Sequence, residues 1–119
     1  MARRYKTYAA ETGVAYRYFF ESRRSLVRPA GLGPGSDYGF VVTADQRPPF
    51  ELRVFVSERA MAACRSAHSK QLDPSEQYAL AKMRLFRAFD ELENLRAESL
   101  SLVVDENNVG ELLATLDLV

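Results

Sequence analysis

The chain has 119 residues, 47% hydrophobic and 27% charged, which is enough for one core and short for two. Sixteen basic and sixteen acidic residues cancel, so no whole-molecule field steers it toward nucleic acid or anionic lipid. No run approaches the ~18 apolar residues of a membrane span, the charged N-terminus lacks a signal peptide's apolar core, and a lone cysteine, Cys64, excludes an intrachain disulfide; the expected compartment is the cytoplasm.

Charge is placed unevenly along the chain. Residues 1–28 hold seven basic side chains (Arg3, Arg4, Lys6, Arg17, Arg23, Arg24 and Arg28) against Glu11 and Glu21, and the remainder balances that surplus. Such a basic arm serves either a partner or the acidic helices of its own fold.

Residues 5–22 read as strand material, with Val14, Tyr16, Tyr18 and Phe20 alternating onto one face and Ala15, Arg17, Phe19 and Glu21 onto the other. Glu11-Thr12-Gly13 reads as a tight turn between two strands, with a bulge at Gly13 in one long strand as the alternative. Pro29 to Ser36 is glycine- and proline-rich and reads as a connector whose backbone forms no ladder. It lacks GK[ST] and precedes a strand, so it matches no phosphate-binding loop.

Tyr38, Phe40 and Val42 alternate in a strand over about 37–44, and Asp45 to Pro49 makes a turn. Phe50, Leu52, Val54 and Val56 mark the next strand, with Glu51, Arg53 and Phe55 on its reverse. Ser57 is placed to cap a helix over 58–69 that carries Ala60, Met61, Cys64, Ala67 and His68 along one side.

The spacing predicts a long helix over 74–97. Asp73, Pro74 and Glu76 open it as a capping box with an acidic cap. Tyr78, Ala81, Leu85, Ala88, Leu92 and Leu95 recur at three and four, with Phe89 beside them, as a stripe for a sheet face. Ala79, Met83 and Phe86 form a second, smaller apolar patch suited to the first helix or to another chain. Arg84, Arg87, Glu91 and Asn94 fall on the polar side, where Arg87 can reach Glu91. Leu100, Leu102 and Val104 then alternate as a last strand, and Asn108 with Glu111 can cap a short helix carrying Leu112, Leu113 and Leu116. The expected fold is one α+β domain: an antiparallel sheet of four or five strands with helices 58–69 and 74–97 packed on one face.

Candidate chemistry is sparse. Cys64 and His68 lie four apart on one helical face, yet a structural zinc needs about four ligands and no second Cys/His pair exists. Cys64 reads as a small buried hydrophobe and His68 as a helix-end residue. No metal, cofactor or catalytic residue is expected, because the usual titratable cluster of an enzyme is missing.

Ten of the thirteen aromatic residues precede Ser57. A sheet face showing Arg17, Phe19, Arg53 and Phe55 would resemble a platform on which single-stranded bases stack. The competing reading keeps these aromatics in core and cross-strand pairs. Phe19 and Phe55, or the patch containing Met83 and Phe86, would alternatively form a self-complementary protein-binding surface.

FELRVFVS followed by LDPSEQYALAKMRLF, within residues 50–95, resembles small bacterial domains of unknown function that run strand, strand, helix, helix. The resemblance implies a compact α+β module and carries no activity or site residue. Taken together, these readings favour a non-enzymatic protein-interaction module, a homodimer being one form of it, over a single-stranded nucleic-acid binder.

Burying the long helix's large side chains contributes about 1.5–3 kcal/mol each, a sum that rivals the about 5–15 kcal/mol net stability of a domain. Leu85→Asp is therefore expected to unfold the protein. A cooperative melt near the parent temperature would show that the stripe faces solvent.

Overall fold

The structure, a computed structural model, describes residues 5–29, 31–44, 47–69, 71–91 and 102–116, with the side chain of His68 left out. The last turn expected of the long helix, with Leu92, Leu95 and Asn94, lies outside the described residues, as do Arg3, Arg4 and Leu100. The order of elements is β1 (Lys6–Ala9), β2 (Ala15–Arg28), β3 (Gly33–Ala44), β4 (Phe50–Ser57), α1 (Glu58–His68), α2 (Pro74–Glu91), β5 (Leu102–Val104) and α3 (Val109–Thr115). The described residues contain no helix long and apolar enough to cross a membrane.

β1 and β2 form the expected hairpin, turning at Gly13, whose φ of 92° suits glycine. The Gly13 amide donates to the Ala10 carbonyl at 2.9 Å and the Ala10 amide to that of Val14 at 2.9 Å. The glycine-rich stretch departs from expectation. Gly33–Ser36 is ladder, paired with Ser25–Arg28, and Pro29, Gly31 and Leu32 lie in the turn before it. The reason lies across the sheet: a Cβ on Gly35 would stand 2.5 Å from the Val56 carbonyl oxygen and 2.6 Å from Phe55 Cζ. The glycine admits the Phe55 ring while keeping its place in the ladder.

The five strands lie in chain order, and neighbours from β1 to β4 are antiparallel. β5 pairs with β4 in parallel, Val54 opposite Leu102 and Val56 opposite Val104. The sheet is thus mixed and not wholly antiparallel, because the crossover through α1 and α2 returns the chain to the edge of β4 in its own direction. Helices α1, α2 and α3 share one core with a single sheet face, to which Tyr16, Tyr18, Tyr38, Phe40, Val42, Leu52, Val54, Val56, Leu102 and Val104 contribute. From α2 the buried residues are Leu80, Ala81, Leu85, Ala88 and Phe89.

Local capping follows the sequence closely. Ser57 Oγ accepts from the Ala60 amide at 3.1 Å. The Glu76 amide donates to Asp73 Oδ1 at 2.8 Å, and the Asp73 amide donates to Glu76 Oε1 at 3.1 Å, closing the capping box. Asn108 differs: its side chain makes no cap bond to α3. It turns back instead, accepting from the Asp105 amide at 2.9 Å and donating to the Val103 carbonyl at 2.8 Å. Ala67, expected on the buried side of α1, is exposed.

Gly35→Ala should destabilise the protein by about 1–3 kcal/mol, the cost of overpacking against backbone that cannot yield. Gly39→Ala, whose Cβ would meet the movable Ser22 Oγ at 3.0 Å, should cost less. Urea unfolding of the two variants checks the order.

Candidate functional site

The register places Arg17, Phe19, Arg53 and Phe55 together on the sheet face away from the helices, with Phe19 in a row with Val41 and Glu51. Arg17 is exposed, its guanidinium 4.9 Å above the Tyr5 ring, and Phe19 is half-buried with its centroid 4.9 Å from that of Tyr5. Arg53 and Phe55 are engaged otherwise. Arg53 Nη1 lies 3.0 Å from Asp37 Oδ2 and its Nε 2.7 Å from Glu51 Oε1. Arg28 Nη2 takes the other Asp37 oxygen at 2.8 Å, and its guanidinium sits 4.9 Å above the Phe55 ring. Asp37 is 1% exposed and Phe55 0%. Desolvation opposes the Arg53 charge, but the bonds to Asp37 and the nearby Glu51 prevail and raise its pKa. Phe55 therefore fills a furrow over Gly35 and offers no open ring to a base.

Met83 and Phe86 come together elsewhere, on the outward side of α2. They are shared by two adjoining depressions, of about 250 and 350 Å³. The smaller is lined by Tyr78, Ala79, Lys82, Met83, Phe86 and Leu116. The larger adds Tyr8 and Glu11 from the β1–β2 hairpin, Arg87, Asp90 and Glu91 from α2, and Thr115 from α3. The result is a trough floored by α2, with the hairpin and α3 as its rims. α1 lines neither depression, although the sequence offered it as a cover for this patch.

Tyr8 holds the hairpin rim in place. Its ring stacks on Phe86 with centroids 4.3 Å apart and planes 5° from parallel. Its hydroxyl donates to Asp90 Oδ2 at 2.7 Å, and the Glu11 amide donates to Asp90 Oδ1 at 2.9 Å. The bond to Asp90, followed by burial and the nearby carboxylate charges, pushes the Tyr8 pKa up to about 12. No sequence signal announced this contact, since 82 residues separate its partners.

The ends of the trough differ in charge. Lys82 Nζ stands 5.7 Å from the Tyr78 and Phe86 centroids and 6.0 Å from that of Tyr18. Burial, then the charge of Lys6, lowers its pKa. Among the described residues no carboxylate lies within ion-pair distance of it. The other end gathers Glu11, Asp90 and Glu91. Arg87 is there too, but pairs at 3.2 Å with Glu111 of α3 and not with Glu91 as the helical spacing implied. Arg84, expected on the polar side, reaches the Val103 carbonyl at 3.3 Å, and burial lowers its pKa.

Cys64 is buried in α1, 1% exposed. Among the described residues no group of three or more His, Cys, Asp or Glu is arranged to hold a metal ion. Compared with family models, curated proteins and solved structures, the chain matches none.

The Tyr8–Asp90 bond predicts a pH dependence. Below pH 10 the hydroxyl is protonated in folded and unfolded chains alike, and its contribution is complete. From pH 10 to about 12 the unfolded chain ionises first, so stability falls across that window. Tyr8→Phe should lose about 0.5–1.5 kcal/mol below pH 10 and flatten the fall above it. Urea midpoints against pH, with tyrosinate absorbance, measure both effects.

Proposed function

We propose that the chain is a non-enzymatic protein-interaction module whose docking surface is the trough along α2. The observation that carries this reading is the placement of Met83 and Phe86. Both are half-buried at the floor of a concave, largely apolar surface that they share with Tyr78 and Ala79, while Leu80, Ala81, Leu85, Ala88 and Phe89 are sealed in the core. A contiguous apolar patch framed by charge is the usual form of a protein-binding surface. The groups of opposite sign at its two ends give a partner a preferred direction. The nucleic-acid reading has less support, since Phe55 is buried and Arg28 and Arg53 are committed to Asp37. Of the four residues on that face, Arg17 and Phe19 are left to carry it beside the N-terminal arginines.

Met83→Glu introduces a charge at the centre of the trough. Because Met83 is half-buried, the change should cost only ~1 kcal/mol of stability while abolishing association through this surface. Light scattering over a dilution series, at low and high salt, establishes whether the chain associates with itself. A dimer that Met83→Glu dissociates would make self-association the form this docking takes. A dimer untouched by the substitution would put the interface elsewhere and defeat the reading. A monomer leaves the trough open to a different partner.

A further inference from the structure

The trough has a polarity that specifies more about its occupant. Lys82 marks one end, with Lys6 adding to the positive field there, and Glu11, Asp90 and Glu91 mark the other. Asp90 is already held by Tyr8 and the Glu11 amide, and Arg87 by Glu111, so among the described residues the groups left to meet a ligand are Lys82, Glu11 and Glu91. Lys82 is the distinctive one. Aromatic faces surround its ammonium group, and no carboxylate among the described residues neutralises it.

We infer that the trough receives a segment of a partner protein carrying an apolar side chain for Met83 and Phe86 beside an acidic side chain for Lys82. The inference rests on the trough being the docking surface. Shape argues for a protruding segment over a second copy of this chain, because two concave surfaces laid face to face leave their floors apart. Charge argues for the acid, since a carboxylate on Lys82 would complete an ion pair on the margin of an aromatic cluster. A basic residue in the same segment would fall over Glu11 and Glu91. Lys82 and Glu91 lie nine residues apart on α2, which is about 13 Å along its axis. The segment's acidic and basic residues then stand about nine apart if it is helical, or roughly four apart if it is extended.

The test is selection of a displayed library of random twelve-residue peptides against the intact protein, in parallel with Lys82→Glu, Lys82→Gln and Met83→Glu. The expected result is enrichment on the wild type of peptides with Asp or Glu next to a large apolar residue. Their affinity should fall about tenfold or more on Lys82→Glu, and that variant should select basic residues at the same place. Lys82→Gln, which keeps most of the stem over the rings, should weaken the acidic preference without inverting it, and it serves if the charge reversal unfolds the chain. Enriched peptides that bind wild type and both Lys82 variants alike would overturn the acidic assignment and leave the docking surface standing. Failure to enrich on the wild type beyond Met83→Glu would remove the docking surface itself. A chain found to be a dimer through Met83 would show that a second copy takes the place assigned to the segment.

Discussion

Phe89 lies flat on Tyr16, centroids 4.3 Å apart and planes within 5°, and that stack seats α2 on the sheet. Around it, Leu85 and Ala88 are wholly buried, and Tyr18 meets Phe86 edge-on at 5.5 Å. Large aromatic surfaces bury much area per residue and favour these stacked and edge-to-face geometries. Much of the architecture follows from that contact. α2 must cross the sheet, so the chain leaves β4 through two helices and rejoins it at β5 in the parallel sense. The helix also keeps one flank outside the core, and this flank becomes the floor of the trough.

The opposite sheet face shows how an apparently open surface is closed without a helix. Asp37 sits almost fully buried on β3, held by Arg28 and Arg53 from the two neighbouring strands. A buried carboxylate is tolerated only when its charge is matched and its lone pairs are engaged, and two guanidinium groups meet both conditions. The same Arg28 covers Phe55, and Gly35 leaves the space for the ring. Arg28, Arg53 and Phe55, which alternation displays on one face, are thereby spent on Asp37 and on one another. Arginine groups with few free donors and a ring with no exposed face make a poor platform for stacked bases.

Where this face is closed by mutual satisfaction, the trough is defined by what stays unmatched. Its rims are tied down, the hairpin by Tyr8 and Asp90 and α3 by Arg87 and Glu111. Its floor is apolar and its ends are of opposite sign. A preorganised concave surface loses little conformational entropy on binding, which would favour the proposed recognition of a segment of another protein.

Local chemistry was legible in the chain itself. The Asp73–Glu76 capping box, the Ser57 cap, the Gly13 hairpin and the alternation that puts Tyr16, Tyr18, Tyr38 and Phe40 on the core face all depend on neighbours within four residues, and all stand in the structure. The stripe on α2 was equally readable, because helical periodicity is a property of one segment. The apolar patch of Ala79, Met83 and Phe86 was visible too, though not its surroundings. What only tertiary structure decided were contacts between distant segments: the parallel pairing of β5, the burial of Phe55 over Gly35, the pairing of Arg87 with Glu111, and the Tyr8–Asp90 bond that closes one rim of the trough. A strand's alternation states that a residue lies on a given face but not what covers that face. Coverage is set by which side chains, far apart in the chain, fill the remaining volume and satisfy the remaining charge.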